Sequence, residues 1–229
     1  MNIKHKKPTL TKKQRHKLRV QQVRRQKIFL TCLFLLIVGC ILLRFSKFSG
    51  RQEEAHQINA ACEAYRDEVS SEAAQYDMSD YVDLLLAVMM QESSGQGTDP
   101  MQSSEGAYNT RYPQQPNGIT DPSYSISCGI QELKYALEKA VCTGPTDLSK
   151  IRLALQAYNF GADSYFAYLE ENGQTVWTAQ SAQAFAQMAS GGTQRDEDDP
   201  LHDPAGPWDY GDQYYPDHVL RYYHLDNNS

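Results

Sequence analysis

Apolar positions between Val82 and Met89 follow the i, i+3, i+4, i+7 spacing of a helix that buries one side. Ser79 lies just before this stretch and is of a residue type that caps helix N-termini. Glu92 follows three residues after Met89. The pattern therefore predicts a buried helix that Ser79 caps and that carries an acid near its C-terminal end.

Helical spacing of apolar residues returns in several later segments. Asp147 precedes one of them as an expected N-cap, and Gly173 is placed to end another. After residue 50, no alternating run of β-branched residues is longer than four, which argues against strands. The fold class is therefore predicted to be all-α. The predicted elements are a helix carrying Ile126, Ile130, Leu133, Leu137 and Val141, a helix carrying Leu148, Ile151 and Leu155, helices over residues 163–171 and 179–189, and a short helix from Pro216.

Three stretches lack an apolar stripe. Residues 53–75 are charged and rich in Ala, with few large apolar side chains, which predicts an exposed helix. Residues 93–124 are rich in Gly, Ser, Asn, Gln and Pro and predict a long loop, a feature that is usually functional inside a compact domain. Residues 191–207 predict a surface loop.

Charge is sorted along the chain. Residues 1–50 contain thirteen Lys and Arg and no acid, whereas residues 51–229 contain nine basic and twenty-eight acidic residues, so the formal charges are +13 and −19. Residues 28–45 carry one charge, Arg44, and at about 1.5 Å per residue would cover roughly 27 Å of a ~30 Å bilayer core. Because eleven basic residues precede this segment, the positive-inside rule places the N-terminus in the cytoplasm.

These features predict four parts: a basic cytoplasmic arm over residues 1–27, a transmembrane signal-anchor helix over 28–45, a linker with a juxtamembrane helix over 46–78, and an extracellular globular domain over 79–229. A cleaved signal peptide and lipidation at Cys40 are the alternatives for the apolar segment. No A-x-A-like site follows it and apolar residues continue past Cys40, which favours a retained span. The basic arm has no aromatic residue before Phe29 to stack on a base, so we expect contact with anionic lipid and not with nucleic acid.

Cysteine usage gives little support for a metal site. Cys62, Cys128 and Cys142 lie after the predicted span, and no Cys-x-x-Cys or His-x-x-x-His pair occurs among them. An odd number of cysteines permits at most one bridge within the chain. A bridge from Cys128 to Cys142 is one hypothesis.

Glu92 is the only acid that directly follows a strongly apolar helical stripe. Removal of a carboxyl from water raises its pKa and keeps it protonated near neutral pH, as a general acid requires. The alternative is a solvated Glu at a fraying helix end. Position alone does not separate the two interpretations.

Three short motifs follow one another on predicted helices: Glu92-Ser93, Gly129-Ile130-Gln131, and the run AYNFG over residues 157–161. In this order they resemble the lysozyme-like and soluble lytic transglycosylase superfamily, which includes goose-type lysozyme. The run DPMQSSE over residues 99–105 and the runs YGD over 210–212 and VLRYY over 219–223 are most similar to one branch. That branch contains pneumococcal vaccine antigen A and the lysozyme domain of conjugative-element cell-wall hydrolases.

The resemblance implies a lysozyme-like domain in which Glu92 is the general acid. The acid would protonate the β-1,4 glycosidic oxygen between N-acetylmuramic acid and N-acetylglucosamine of peptidoglycan. No metal or cofactor is implied, and Tyr158 also suits a plain core aromatic. The residues that the resemblance implies for substrate contact are Ser93, Asp99, Glu105, Ser127, Gly129, Gln131, Tyr158 and Asn159.

A second catalytic carboxylate is not assigned by the sequence. Asp99 and Glu105 lie in the long loop, and either would have to approach Glu92 to within the separation that sets a retaining or an inverting mechanism. The main hypothesis is a membrane-anchored muramidase that acts on glycan strands, at the cytoplasmic membrane, for a conjugation or secretion apparatus. The alternatives are a lytic transglycosylase that yields 1,6-anhydro products and a wall-binding module with little activity.

Overall fold

The computed structural model describes residues 56–224. The basic arm, the predicted membrane helix over residues 28–45 and the first part of the linker lie outside these residues. Within residues 56–224, no helix is both long and apolar enough to cross a membrane.

The described chain folds into helices joined by loops of very different lengths. Between residues 56 and 224 the only β-type pairing is one isolated antiparallel bridge, from Gln194 to Trp208, so the all-α prediction is confirmed there. The helices are α1 (Ala60–Glu63), α2 (Arg66–Gln75), α3 (Val82–Glu92), α4 (Pro122–Lys139), α5 (Leu148–Phe160), α6 (Ala162–Glu171), α7 (Ala179–Ala189), α8 (His202–Ala205) and α9 (Tyr215–Leu220).

Helix α3 lies at the centre of the core. Every residue from Leu84 to Met89 is 0% exposed, so the helix is apolar on all sides over these residues. Helices α2 and α9 both pack against it, and α5 packs against α4, α6 and α9. The end of α3 therefore lies among elements from both ends of the described chain.

Local capping sets where several helices begin and end. Asp147 accepts a hydrogen bond from the amide of Lys150, which confirms it as the N-cap of α5. Asp121 caps α4 by accepting from the amides of Ser123 and Tyr124, and Pro122 takes the first helical position. Helix α4 therefore begins inside the stretch predicted as loop.

Two boundary predictions are wrong. Ser79 does not cap α3, because a 3-10 turn over Ser79–Tyr81 comes first and Tyr81 occupies the N-cap without a side-chain bond. Val141 is not part of the buried stripe of α4, since the helix ends at Lys139. Val141 has a φ of 57° and is 71% exposed.

The single exposed helix predicted for residues 53–75 is replaced, in its described part, by α1 and α2. Their small side chains Cys62, Val69 and Ala73 are fully buried, so both helices contribute to the core. The error has a clear cause: small residues bury a face against a neighbour without the large apolar side chains that make a stripe visible in a sequence.

Cys62, Cys128 and Cys142 are all free thiols, so the hypothesis of a bridge from Cys128 to Cys142 is wrong. Cys128 lies within α4 and Cys142 lies after its end. The helical rise from Cys128 to Lys139 alone is roughly 16 Å, whereas a disulfide requires Cα atoms within about 7 Å.

An aromatic cluster joins α5, α6 and α7. The ring of Phe185 lies 5.1 Å from those of Phe160 and Tyr165 and 5.3 Å from that of Tyr168, measured between centroids. Tyr210 closes the cluster at 5.5 Å from Phe160, and its hydroxyl donates to the Phe160 carbonyl. The cluster therefore ties the segment before α9 to the end of α5.

Replacement of Phe185 by Ala should lower the free energy of unfolding by about 3–5 kcal/mol, because the side chain is 2% exposed and its removal leaves a cavity. Met188→Ala, on the same helix at 56% exposure, is the matched control and should change it by less than about 0.5 kcal/mol. Urea denaturation followed by circular dichroism measures both. Equal effects would contradict the packing described for α7.

Candidate active site

Glu92 is the last residue of α3, and its side chain is partly buried. The hydroxyl of Tyr215, at the start of α9, donates a hydrogen bond to Glu92 Oε1. Burial raises the pKa of Glu92 to about 7, the hydrogen bond from Tyr215 acts in the opposite direction, and the nearby charges of Asp212 and Asp99 raise it further. The carboxyl is therefore held partly protonated at neutral pH, as a general acid requires.

Two tyrosines lie beside this acid. The rings of Tyr158 and Tyr215 are stacked with centroids 6.3 Å apart and an interplanar angle of 22°. Burial raises the pKa of both hydroxyls well above the ordinary value, and the charge of Glu92 adds to the effect. Both groups thus remain hydrogen-bond donors at physiological pH. Tyr158 donates to the Met101 carbonyl at 2.9 Å, so it connects the acid's surroundings to the long loop.

Asp212, whose charge acts on Glu92, is bound by residues of α5 and α9. Its amide donates to Asn159 Oδ1 at 2.7 Å, and its carbonyl accepts from the Gln156 side chain at 2.8 Å. Its carboxylate accepts from the Tyr214 amide at 2.9 Å and from His218 Nδ1 at 2.5 Å. Asn159 is predicted to contact substrate, and its Oδ1 accepts a hydrogen bond from the segment before α9.

The long loop after α3 is organised around Asp99, which is 1% exposed. Its carboxylate accepts hydrogen bonds from the amide of Ser103 at 3.0 Å, from the amide and hydroxyl of Ser104, and from the hydroxyl of Ser125 at 2.6 Å. Ser104 Oγ in turn accepts from the Ile119 amide at 2.9 Å. These contacts keep Asp99 inside the loop and away from solvent.

The other loop residues of the predicted site occupy different positions. Ser93 Oγ donates to the Pro100 carbonyl at 2.8 Å and accepts from the Gly95 amide at 3.0 Å, so it fixes the turn that follows Glu92. A Cβ at Gly129 would lie 2.7 Å from Met101 Cβ, so this glycine admits the loop close to α4. Glu105 is exposed at the surface of the loop.

Ser127 and Gln131 line a groove of about 600 Å³ on the outer side of α4. Gln131 Nε2 donates to the Ser127 carbonyl at 3.1 Å, and the Tyr76 hydroxyl lies 3.1 Å from Ser127 Oγ. Tyr108 and Arg111 of the long loop form the facing wall, and Glu92 is not among the lining residues. The structure thus brings Ser127 and Gln131 together in this groove, whose lining residues do not include Glu92.

Glu132, next to Gln131, is a buried carboxyl that the sequence did not single out. Burial raises its pKa to about 7, and the charges of Glu92 and Asp99 contribute in the same direction. A Cβ at Gly106 would lie 1.4 Å from Glu132 Oε1, so the loop covers this carboxyl only because residue 106 is glycine. The charges of Asp99 and Asp212 therefore raise the pKa of Glu92, and the charge of Glu92 raises the pKa of Glu132.

Sequence reasoning missed Tyr215, Asp212, His218 and Glu132 as parts of the site. The run over residues 210–212 drew attention to Asp212 by resemblance, but nothing local indicated that Tyr215 would reach an acid 123 positions earlier. No group of three or more His, Cys, Asp or Glu in residues 56–224 is arranged to hold a metal ion.

Residues 60–223 match the model of the family described as Lysozyme-like. The chain is 34% identical over 173 residues to the bifunctional muramidase/DL-endopeptidase CwlT of Bacillus subtilis strain 168, an alignment of 76% of this chain and 43% of that protein. It is 39% identical over 115 residues to the uncharacterized membrane protein YocA of the same organism, covering 48% of this chain and 45% of YocA.

A pneumococcal vaccine antigen A homolog of Streptococcus pyogenes serotype M1 is 37% identical over 110 residues, which cover 48% of this chain and 50% of that protein. The chain thus spans about half the length, or less, of these curated relatives. A crystal structure of a protein similar to lipoprotein of the NLP/P60 family, from Staphylococcus aureus Mu50, aligns with a TM-score of 0.62 at 27% identity and covers 76% of this chain and 56% of that one. These relatives confirm the superfamily and branch that the motifs indicated.

Asp99→Asn should destabilise the protein by about 2 kcal/mol or more, because the amide brings an N–H among donors that a carboxylate had satisfied. Hydrogen exchange at the amides of Ser103 and Ser104 should accelerate in this variant. Glu105→Gln, a neutralised exposed acid of the same loop, is the control and should change neither quantity. Unchanged exchange in Asp99→Asn would show that Asp99 does not organise the loop.

Proposed function

This chain belongs to the lysozyme-like family, and we propose that it is a muramidase that cleaves the β-1,4 bond between N-acetylmuramic acid and N-acetylglucosamine in peptidoglycan. The observation that carries the proposal is the position of the Glu92 carboxyl at the end of α3, where it accepts a hydrogen bond from Tyr215 and where burial raises its pKa to about 7. In this state it is available to transfer a proton to the leaving glycosidic oxygen.

The surroundings of Glu92 support this role. Tyr215 donates to Oε1, so the other carboxyl oxygen of Glu92 would carry the proton for the bond that breaks. As the proton moves to the leaving oxygen, Glu92 becomes a carboxylate and the hydrogen bond from Tyr215 becomes stronger, because its acceptor is then charged. Muramidase is also part of the name of the relative CwlT, which aligns with 76% of this chain.

Glycan contacts are proposed on both sides of the long loop. Tyr158 and Asn159 would border the reacting sugars near Glu92, and Glu105 would reach the strand from the exposed loop surface. The groove at Ser127 and Gln131 would hold sugars further along the strand, because aromatic and amide side chains suit both faces of a sugar ring. Ser93, Asp99 and Gly129 would contribute by fixing the loop that shapes the cleft.

Anchoring of the domain on the wall side of the cytoplasmic membrane is part of the proposal. Its support is the apolar segment over residues 28–45 behind a basic arm, together with the description of the relative YocA as a membrane protein. The order of arm, span, linker and domain would confine glycan cleavage to the membrane surface, which suits local opening of the wall for a conjugation or secretion apparatus.

A lytic transglycosylase is the second candidate, and one observation favours it. Asp99 is 1% exposed and its carboxylate accepts four hydrogen bonds within and beside its own loop, and the Asp212 carboxylate accepts from Tyr214 and His218, which disfavours both as the second carboxyl of a hydrolase. The substrate's own groups would then complete the reaction and yield a 1,6-anhydro product. A wall-binding module without activity remains the third candidate.

Glu92→Gln should reduce release of soluble fragments from peptidoglycan by a factor on the order of 10²–10⁴, because the amide cannot donate the required proton. The full chain in detergent is incubated with purified walls, and the products are identified by mass spectrometry. Asp83→Asn, which removes an exposed acid from the first turn of the same helix, should retain activity.

The products separate the three candidates. Reducing-end muramic acid fragments that disappear in Glu92→Gln support the muramidase, and anhydro fragments reassign the reaction to a transglycosylase. Wall binding without any release by the unaltered protein would favour the binding module.

Gln131→Ala and Tyr108→Ala should each weaken binding of wall glycan oligomers about 3- to 10-fold, the loss of roughly one hydrogen bond or one stacked ring. Both changes are made in the Glu92→Gln protein so that the ligand persists during calorimetry. Gln187→Ala, an exposed glutamine on α7, is the control. Affinities equal to the control would remove the α4 groove from the substrate path.

A further inference from the structure

Asp212 is held on every side by the protein although it lies beside the candidate catalytic acid. Its amide, its carbonyl and both carboxylate oxygens are used in hydrogen bonds to Asn159, Gln156, Tyr214 and His218. These contacts fix the position of the chain just before α9.

The neighbouring backbone shows why this position demands precision. Gly211 has a φ of 49°, and a Cβ there would lie 2.7 Å from Asn159 Oδ1 and 2.8 Å from the Phe160 ring. The backbone immediately before Asp212 therefore packs closely against the end of α5. Tyr215 follows three residues later and reaches Glu92 through its hydroxyl.

We propose that Asp212 and His218 are positioning residues for the proposed reaction: together they hold Tyr215 against the Glu92 carboxyl and keep a fixed negative charge beside it. His218 donates Nδ1–H to Asp212 Oδ2, so it orients the carboxylate from within α9. The Tyr214 amide binds the other oxygen, which locks the first turn of the same helix to the same side chain. The pair thereby couples Tyr214, the N-cap residue of α9, to His218, the fourth residue of the helix.

The charge of Asp212 and the hydrogen bond from Tyr215 shift the pKa of Glu92 in opposite directions. The Asp212 carboxylate favours the protonated form of Glu92, whereas the bond from Tyr215 favours the ionised form. The other titratable groups that act on or with Glu92 are Asp99 from the loop after α3, Glu132 from α4 and Tyr158 from α5. None of these three belongs to the segment that Asp212 and His218 fix.

The opposite signs allow a sharp test. In the full chain in detergent, with the Glu side chains labelled at the carboxyl carbon, the titration of Glu92 is followed by NMR and assigned by its loss in Glu92→Gln. Asp212→Asn should move the Glu92 midpoint to lower pH, since the charge that disfavours ionisation is gone. Tyr215→Phe should move it to higher pH, since the bond that favours the carboxylate is gone.

Two further variants separate a positioning role from a structural one. His218→Asn retains a donor near the place of Nδ1 and should leave the Glu92 midpoint close to that of the unaltered protein, whereas His218→Ala should broaden or shift it. Asp217→Asn, an exposed acid of the same helix that pairs with Arg152, is the charge control and should have no effect. Circular dichroism verifies that each variant is folded.

The role in catalysis rests on the proposed muramidase function, so glycan cleavage is measured on the same variants. Asp212→Asn and His218→Ala should lower kcat with little change in KM, and Asp212→Asn should lose activity at a lower pH than the unaltered protein. Shifts of the Glu92 midpoint in opposite directions without any cleavage by the unaltered protein would refute the muramidase and leave the positioning role standing. The inference would be overturned if folded Asp212→Asn and Tyr215→Phe proteins had the same Glu92 midpoint as the unaltered protein and cleaved glycan as well as it does.

Discussion

The partial removal of one carboxyl from water, at the end of a helix whose centre is apolar and fully buried, is the constraint on which the rest of the structure depends. Helix α3 is buried on every side from Leu84 to Met89, and Glu92 follows three residues later at the partly buried end of the helix. An ionised carboxyl there would be costly without compensation. Within residues 56–224, one hydrogen bond is donated to this carboxyl, from Tyr215, and burial keeps the group partly protonated at neutral pH.

The same region contains three more acids, and each is accommodated differently. Asp99 is surrounded by amide and hydroxyl donors of its own loop, which explains how a long segment without a helix remains well packed. Asp212 is held by backbone and imidazole donors at the start of α9. Glu132 is covered by the loop at Gly106 and has a raised pKa. Like charges so close together are tolerable because two of the acids are strongly hydrogen-bonded and two are partly neutral.

The sequence predicted those features that depend on residues close together in the chain. Helical spacing identified the five main helices α3 to α7, and Asp147 marked its helix start correctly, because apolar period and capping depend on residues only a few positions apart. It failed where burial used small residues, as in α1 and α2, and where a 3-10 turn displaced Ser79 from the cap. Glu92 was recognised because its signal, an acid after an apolar stripe, is also local. Tyr215 was not, because its role exists only once the last helix packs on α3.

The long loop physically connects the two places where substrate contact is proposed. On one side its Met101 carbonyl accepts the Tyr158 hydroxyl next to Glu92, and on the other its Tyr108 forms a wall of the groove along α4. Asp99 joins these sides, since its bonds to Ser103, Ser104 and Ser125 fix the loop to the helix that carries Gln131. The hydrogen-bonded long loop would therefore set the position of a glycan strand in the groove relative to Glu92. The residues suggested by the motifs accordingly lie near the acid, along the groove, or at the loop between them.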